Sequence, residues 1–196
     1  ATVGGLLFLQ DIYYSKSISC TFKNARSLKE GGAMQFEGGK KLFLYLSSFH
    51  QNTGSLGGAI WIGKVSRVVV RKCNMQNNVA QVHGGVSYIG GVTSFKNIMT
   101  NYGNNSATEK GGVIYIVYPS TVHHVNNSFK SNSGSRGGAV YEFDANNTWI
   151  YSCKFQMNKA SVEGGSIYKR KGQKFQTIDT IFTRSIASTG GAVHIE

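Results

Sequence analysis

The sequence has very little proline: Pro119 is the only one among 196 residues, although glycine occurs 25 times. A glycine-rich chain without proline is not collagen, and the 12% aromatic content excludes a flexible linker. No apolar run approaches the roughly 18 residues of a membrane-spanning helix, and no long helical periodicity appears. The 40% apolar content still predicts a buried core, built from strands.

Acidic residues are also scarce. Nine Asp and Glu stand against 21 Lys and Arg, which gives a formal net charge of +12. Such a balance favours an anionic partner, such as an acidic glycan, lipid headgroups or nucleic acid. The cations are scattered, with the densest groups at 67–72 and 169–174. A basic but otherwise ordinary surface is therefore an equal alternative, and no specific nucleic-acid site is expected.

Paired glycines recur at a nearly constant spacing along the whole chain. Successive pairs begin 26 or 27 residues apart, and self-similarity of this period is the signature of a solenoid. Two further pairs, at 38–39 and 90–91, lie outside this register and are expected to be turn glycines. The pairs in register are Gly4-Gly5, Gly31-Gly32, Gly57-Gly58, Gly84-Gly85, Gly111-Gly112, Gly137-Gly138, Gly164-Gly165 and Gly190-Gly191.

Three other positions repeat with the glycines. A large apolar residue stands eight or nine residues before each later pair, at Phe22, Phe49, Met75, Tyr102, Phe129, Phe155 and Phe182. Asparagine follows it by three residues in five of the seven repeats, at Asn52, Asn78, Asn105, Asn132 and Asn158. A short side chain precedes it by two residues, at Cys20, Ser47, Cys73, Thr100, Asn127, Cys153 and Thr180.

Each repeat holds two or three short runs of β-branched and aromatic residues, separated by Gly, Asn and Ser turns. Parallel stacking of such units places each repeated residue ~4.8 Å from its equivalent, and parallel crossovers favour a right-handed path. We therefore predict an all-β fold, a single-stranded right-handed parallel β-helix of about seven coils. Propeller blades need longer repeats, and the leucine signature of leucine-rich repeats is missing.

Residues 1–196 are predicted to form one parallel β-helix domain. The chain opens without Met or a signal peptide, so we expect a segment of a longer repeat protein.

The repeat unit resembles that of a known family. Phe-x-x-Asn at 49–52, followed by Gly-Gly-Ala-Ile at 57–60, is similar to the repeat of the chlamydial polymorphic outer-membrane proteins and of β-helix surface proteins of some protists. The resemblance covers essentially the whole chain. It implies a surface-exposed or secreted, adhesin-like protein with no catalytic residues to carry over. The repeat departs from the pattern after the glycines at Leu6, Val86, Val113 and Ser166.

Enzymatic β-helices that cleave polysaccharides use clustered carboxylates, which bind Ca²⁺ or act as acid and base. The three aspartates are expected at different phases of the repeat: Asp11, Asp144 and Asp179. Three glutamates are expected at one shared phase, on separated coils: Glu30, Glu109 and Glu163. We therefore predict no catalytic site and no cofactor. A carbohydrate-active enzyme of the polysaccharide lyase or hydrolase type is the alternative.

No metal site and no disulfide are expected. His123 and His124 are adjacent in one strand, so their side chains should point to opposite faces and cannot chelate one ion together. Cys20 and Cys73 are two coils apart, which is too far for a disulfide, and we predict three free thiols. N-glycosylation sequons begin at three candidate sites: Asn104, Asn126 and Asn146.

The third residue after the glycine pair is aromatic in six of eight repeats. Its neighbours at the second and fourth positions are mostly aliphatic, which predicts that they face the core and that the third position faces outward. Glu142 and Lys169 argue against this, because they occupy the fourth position and charges seldom lie inside. The predicted ladder consists of Phe8, Trp61, Tyr88, Tyr115, Tyr141 and Tyr168, with Gln35 and His194 in the same column.

An outward ladder of this kind would serve as a stacking platform for sugar rings or as a seam for lateral assembly. We therefore predict a structural or adhesive scaffold, extracellular or at the cell surface, that presents a repetitive surface to a protein or a glycan. Self-association, end to end into a filament or side by side, is a further use of open β-helix edges.

Overall fold

The computed structural model describes residues 5–196, which form strands, turns and bends but no helix. Gly4, the first glycine of the first pair, lies outside the described residues. Within this range, nothing has the length and hydropathy of a membrane-crossing helix.

The described residues form 27 strands of two to five residues, numbered in chain order. The first nine are β1 (Leu7–Gln10), β2 (Tyr14–Ile18), β3 (Thr21–Lys23), β4 (Met34–Glu37), β5 (Lys41–Tyr45), β6 (Ser48–His50), β7 (Thr53–Leu56), β8 (Ile60–Gly63) and β9 (Arg67–Arg71). The next nine are β10 (Asn74–Gln76), β11 (Val79–His83), β12 (Ser87–Gly90), β13 (Ser94–Ile98), β14 (Asn101–Gly103), β15 (Ser106–Ala107), β16 (Ile114–Val117), β17 (Thr121–Val125) and β18 (Ser128–Lys130). The last nine are β19 (Ser133–Arg136), β20 (Val140–Phe143), β21 (Asn147–Tyr151), β22 (Lys154–Gln156), β23 (Lys159–Glu163), β24 (Ile167–Arg170), β25 (Lys174–Ile178), β26 (Ile181–Thr183) and β27 (Val193–Ile195).

The strands pair in parallel and form four sheets, A to D, which the chain visits in turn. Sheet A contains β1, β4, β8, β12, β16, β20, β24 and β27, and sheet B contains β2, β5, β9, β13, β17, β21 and β25. Sheet C contains β3, β6, β10, β14, β18, β22 and β26, and sheet D contains β7, β11, β15, β19 and β23. The fold is a parallel β-solenoid of about seven turns, as predicted.

The strand register confirms the repeat derived from the glycine pairs. Leu7 pairs with Met34, and Met34 pairs with Ile60, at offsets of 27 and 26 residues. Most coils contain four strands, more than the two or three that the sequence indicated. Strands of three residues, such as Asn74–Gln76, are too short to show an alternating pattern in the sequence.

Each coil turns at four corners, and a residue with a left-handed backbone lies at each corner, followed by a second residue of positive φ at Gly38-Gly39 and Lys171-Gly172. In the coil that begins at Gly57 (φ 72°), the other three corners are Lys64 (φ 56°), Lys72 (φ 53°) and Asn77 (φ 57°). The left-handed conformation costs a residue with a Cβ roughly 1–2 kcal/mol. The hydrogen-bonded strands on both sides of each corner must offset this cost.

Gly84 and Gly85 show why the repeat uses two adjacent glycines. Gly84 forms a corner with φ 68°, and a Cβ there would lie 2.2 Å from the carbonyl oxygen of Ser87. A Cβ on Gly85 would lie 2.0 Å from the carbonyl oxygen of Gly112, in the next coil. The first glycine therefore permits the turn, and the second permits neighbouring coils to approach each other.

The repeated apolar residues form one pile inside the solenoid. The Phe129 ring stacks between those of Tyr102 and Phe155, at centroid distances of 4.8 and 4.6 Å and within 7° of parallel. Met75 continues the column in register between Phe49 and Tyr102. These residues belong to one continuous cluster of buried apolar side chains. The predicted interior column is confirmed.

The repeated asparagines form a ladder in the solenoid interior. Asn105 accepts the N–H of Asn78 on its side-chain oxygen at 3.0 Å. Its own side-chain nitrogen donates to Asn132 Oδ1 at 3.1 Å and to the carbonyl of Met75 at 2.9 Å. A buried polar group left without a partner costs about 1–3 kcal/mol. Each asparagine therefore depends on equivalents in the neighbouring coils.

The short side chains before sheet C form a second ladder. The N–H of Cys73 donates to Thr100 Oγ1 at 3.4 Å, and the N–H of Thr100 donates to Asn127 Oδ1 at 2.9 Å. Cys20, Cys73 and Cys153 are free thiols, in agreement with the sequence. Burial raises the pKa of the Cys153 thiol to about 11, so this side chain is a neutral, buried member of the ladder.

Replacing Gly85 by alanine is expected to lower the free energy of unfolding by about 2–4 kcal/mol, because the new Cβ forces adjacent coils apart. Gly103→Ala is the matched control. A Cβ there would meet Gln76 at 3.7 Å, an ordinary contact, and the backbone of Gly103 is not left-handed. Urea denaturation followed by circular dichroism measures both variants. Equal losses would contradict the assigned close approach.

Candidate binding surface

The predicted aromatic ladder occupies one column of sheet A. The residues on either side of Tyr115 in its strand, Ile114 and Ile116, are buried in the core, and alternation along the strand therefore places Tyr115 on the outer face. The outward direction predicted for the third position is correct. The register of the column is Phe8, Gln35, Trp61, Tyr88, Tyr115, Tyr141, Tyr168 and His194.

The rings of the ladder stack on one another along the solenoid. Centroids lie 5.1 Å apart for Tyr88 and Tyr115, 5.1 Å for Tyr115 and Tyr141, and 4.9 Å for Tyr141 and Tyr168. Burial, with neighbouring tyrosines, raises the pKa of Tyr115 to about 12. Because rings of consecutive coils cover each other's faces from Tyr88 to Tyr168, this part of the ladder presents mainly ring edges. This geometry does not favour the stacking of sugar rings on the ladder.

Side chains from the position before the glycine pair cover one flank of the ladder. The His83 ring stacks on Tyr115 with centroids 4.5 Å apart, and Lys110 Nζ lies 5.4 Å from the Tyr141 ring. Tyr141 is only 3% exposed as a result of such cover. Side chains of the adjacent column, His83 and Lys110, therefore cover part of the middle of the ladder.

The shared phase predicted for the three glutamates is wrong for Glu109. Isolated bridges place Lys110, and not Glu109, in the column of Arg136 and Glu163. The Arg136 guanidinium donates to Glu163 at 2.7 Å, whereas Glu109 lies 3.7 Å from His83 Nδ1. The glutamates therefore have separate partners and do not form one cluster.

The different phases predicted for the aspartates are wrong for Asp11 and Asp144. The N–H of each donates to the last carbonyl of the sheet A strand in the following coil, that of Glu37 and Arg170 respectively. Five coils separate the two aspartates, roughly 24 Å at ~4.8 Å per coil, so they remain apart. Across residues 5–196, no three His, Cys, Asp or Glu side chains come together as metal ligands.

Glu142 and Lys169, which argued against an outward ladder, lie inside the solenoid with exposures of 0% and 3%. They occupy a column that holds Ile116 in the preceding coil. Lys169 Nζ lies 3.4 Å from Glu142 Oε2 and donates to the Ala145 carbonyl at 2.6 Å. The Thr148 hydroxyl donates to Glu142 Oε2 at 2.6 Å. Pairing and hydrogen bonding together permit the two charges in the core.

The buried polar group extends to His124. The Tyr102 hydroxyl donates to Asn97 Oδ1 at 3.0 Å, so the Asn97 side-chain nitrogen donates to His124 Nδ1 at 3.2 Å. The His124 proton is therefore on Nε2, which faces Glu142 Oε1 at 4.0 Å. Burial lowers the pKa of His124 to about 3 and raises that of Glu142, against the opposing effect of Lys169. No side chain of this group reaches the surface, so it belongs to the core and not to an accessible site.

Lys169→Ile is expected to destabilise the fold by about 3–5 kcal/mol, because it leaves the Glu142 carboxylate buried without its cation. The double variant Glu142→Ile/Lys169→Ile should regain most of this loss, since isoleucine occupies the equivalent position in the coil before and the coil after. Urea titrations of the wild type, both single variants and the double variant measure the coupling. A double variant no more stable than Lys169→Ile would contradict the pairing.

Lowering the pH from 7 to 5 is expected to destabilise the chain through His124. The unfolded ring binds a proton near pH 6.5, whereas the folded ring, with its pKa lowered to about 3, does not. The unfolded state therefore binds the extra proton between these values. Stability falls as the pH drops, by up to ~1.4 kcal/mol per pH unit below 6.5.

His124→Gln removes this proton uptake. Between pH 7 and 5, the free energy of unfolding from urea denaturation should fall by about 2 kcal/mol more in the wild type than in the variant. Glu142 acts in the opposite direction, because its raised pKa favours protonation of the folded state. The difference between the two chains is therefore the informative quantity, and equal pH dependence would show that folded His124 takes up the proton.

A second outward surface, which the sequence did not single out, is the outer face of sheet B, here called the B face. It consists of the first, third and fifth residues of the seven sheet B strands, while second and fourth residues such as Val68 and Val70 are buried in the core. Its cations are Lys16, Lys41, Arg67, Arg71, Lys96 and Lys174. Its aromatic residues are Tyr14, Phe43, Tyr45, Trp149 and Tyr151, and these strands carry no Asp or Glu.

Cations and rings are interleaved on the B face. Lys16 Nζ lies 5.7 Å from the centroid of the Phe43 ring, and Lys174 Nζ lies 5.8 Å from that of Trp149. The His123 ring stacks on Trp149 at 4.6 Å, and burial together with a nearby lysine lowers the pKa of His123. His123 faces outward and His124 inward, so the two side chains point to opposite faces, as predicted. A cation–π contact is worth about 0.5–1 kcal/mol at an exposed site and orients the lysine without neutralising it.

The outer faces of sheets C and D have a different chemistry. Sheet C strands present small, amide and lysine side chains, including Lys130 and Lys154, but no outward Phe, Trp or Tyr. Sheet D strands such as Ser133–Arg136 and Lys159–Glu163 combine serine with charges of both signs. The B face extends roughly 29 Å along the solenoid, from seven strands at ~4.8 Å. It is therefore an extended surface that combines aromatic side chains with uncompensated positive charge.

A groove of about 320 Å³ lies where the chain turns from sheet A into sheet B, here called the corner groove. Its lining residues come from four successive coils, so it runs along the solenoid and adjoins the B face. They are Tyr13, Tyr14, Lys40, Lys41, Ser66, Arg67, Thr93 and Ser94.

Comparison of the chain with family models, with curated proteins and with solved structures finds no match in any of the three. The resemblance of the repeat to chlamydial polymorphic outer-membrane proteins stays a prediction, as do the extracellular location and self-association. Asn104, Asn126 and Asn146 are exposed, which makes each accessible, and their glycosylation also stays a prediction.

Proposed function

We propose that this chain is a non-catalytic binding scaffold, located at the cell surface or outside the cell, that holds an extended glycan on its B face. The observation that carries the proposal is the composition of that face: six cations and five aromatic residues on one continuous sheet without a carboxylate. Aromatic side chains supply apolar contact area for sugar rings, and cations and hydroxyls supply hydrogen-bond donors.

The rigidity of the B face supports the proposal. Within sheet B, each of the five strands that lie between β2 and β25 is hydrogen-bonded to a parallel neighbour on both sides. The interior asparagine ladder and the aromatic pile tie consecutive coils together beneath the surface. A surface held in this way loses little conformational entropy when it binds a long ligand.

The same composition supports binding without turnover. Hydrolysis of a glycosidic bond uses a pair of carboxyl groups on opposite sides of the bond. The B face offers none, and Glu142, the carboxylate beneath it, is fully buried. A glycan lying on this surface would meet donors and rings but no pair of carboxyl groups.

The two tryptophans provide a direct test, because Trp149 lies on the B face and Trp61 on the ladder of sheet A. Trp61→Phe leaves Trp149 as the only tryptophan, and Trp149→Phe leaves Trp61. Fluorescence titration with a panel of neutral and acidic soluble oligosaccharides is expected to change the emission of Trp149 by more than that of Trp61. Circular dichroism melts control for the fold of both variants.

A response of Trp61 alone would move the binding surface to the ladder. The absence of any response and of any calorimetric heat, across all the oligosaccharides, would contradict glycan binding. Release of reducing ends during the titration would contradict the non-catalytic role and favour the alternative of a carbohydrate-active enzyme.

A further inference from the structure

We infer that the ligand is an anionic polysaccharide and that the corner groove binds its acidic groups, carboxylate or sulfate, while the sugar chain continues along the B face. This inference rests on the function proposed above and adds the chemical class of the ligand and the residues that select it.

Three cations converge on the groove without carboxylate partners. Lys40, Lys41 and Arg67 take part in none of the ion pairs formed within residues 5–196. Lys40 Nζ lies 5.2 Å from the centroid of the Tyr13 ring, and Lys41 Nζ lies 5.7 Å from that of Tyr14. These contacts position the ammonium groups and leave their charge available to an anion.

Carboxylates are present near the turn but not in the groove. Asp11 and Glu37 lie at the end of sheet A strands, just before this corner, and neither lines the groove. A groove lined by three cations and no acid attracts anions, and the bond between a carboxylate or sulfate and Arg67 or a lysine is charge-assisted.

The remaining lining residues fit a sugar. Ser66, Thr93 and Ser94 place hydroxyl groups along the groove, and these are able to hydrogen-bond the hydroxyls of a glycan. Tyr13 and Tyr14 are 70% and 49% exposed, so their rings offer apolar surface at the groove wall. A flat membrane surface would make little use of hydroxyls within a concave groove, and this favours a glycan over lipid headgroups.

The spacing of the cations also fits a polymer that runs along the solenoid. Lys41 and Arg67 are paired in register on adjacent coils, ~4.8 Å apart along the axis. One sugar unit of a polysaccharide has a similar length. Consecutive acidic groups of one chain would therefore meet cations on consecutive coils, whereas a single small anion would use only one of them.

The test is the double variant Lys41→Gln/Arg67→Gln, titrated by calorimetry with oligogalacturonate as the carboxylate probe and a heparin-derived oligosaccharide as the sulfate probe. We expect at least one probe to bind the wild type and to bind the variant at least about tenfold more weakly, since two charge-assisted bonds are lost. Lys130→Gln/Lys154→Gln is the matched control, because it removes the same charge from exposed positions of sheet C. Its affinity should stay within about twofold of the wild type.

The other outcomes are distinguishable. Equal weakening in both double variants would overturn the inference, because the net charge and not the groove would then attract the ligand. Binding of neutral oligosaccharides at Trp149, with no preference for acidic ones, would overturn the inference but leave the proposed function intact. Binding of anionic phospholipid vesicles or single-stranded nucleic acid through Lys41 and Arg67, without binding of any acidic or neutral oligosaccharide, would overturn both.

Discussion

Parallel stacking of equivalent residues, one coil above another at ~4.8 Å, is the constraint on which the rest of this structure depends. It makes the nearest neighbour of each side chain its own counterpart in the next coil. Phe129 stacks on Phe155, Asn105 bonds Asn132, and Gly85 faces Gly112. A substitution therefore acts on two coils at once, and a residue type is tolerated only if it suits a stack.

The interior polar group shows how the solenoid accommodates an exception to this rule. Glu142 and Lys169 occupy consecutive coils of an otherwise isoleucine-rich column, so each charge has an isoleucine on one side and its counter-ion on the other. Thr148 and the Ala145 carbonyl add hydrogen bonds to Glu142 Oε2 and Lys169 Nζ, whereas Glu142 Oε1 has no hydrogen-bond partner. The pair is stable because both members are present, and neither would be favourable alone.

The same stacking gives the two outward aromatic surfaces, the ladder on sheet A and the B face on sheet B, different arrangements of rings. On sheet A, consecutive aromatic residues in one column cover each other's faces, and Tyr141 and Tyr168 become almost inaccessible. On sheet B, aromatic residues alternate with cations and aliphatic residues between coils, so rings such as Trp149 remain partly exposed beside positive charge. Since Trp61, Tyr88 and Tyr115 of the ladder are also partly exposed, the feature that favours the B face for recognition is the positive charge beside its rings.

The glycine, asparagine and aromatic periods specify the coil length, the interior columns and the parallel β-solenoid, because each of these follows from residues one repeat apart. The ladder of short side chains before sheet C and the outward aromatic ladder follow in the same way. The B face does not follow from these periods, because a run such as Leu42 to Tyr45 is apolar at both its inner and its outer positions and does not reveal which set is buried. The inward position of Glu142 and Lys169 does not follow from a period either. It depends on Ala145 and Thr148, which lie in the corner and the strand after Glu142 and hydrogen-bond Lys169. Only the folded chain brings those partners together, because hydrogen bonds between different sheets leave no period in the sequence.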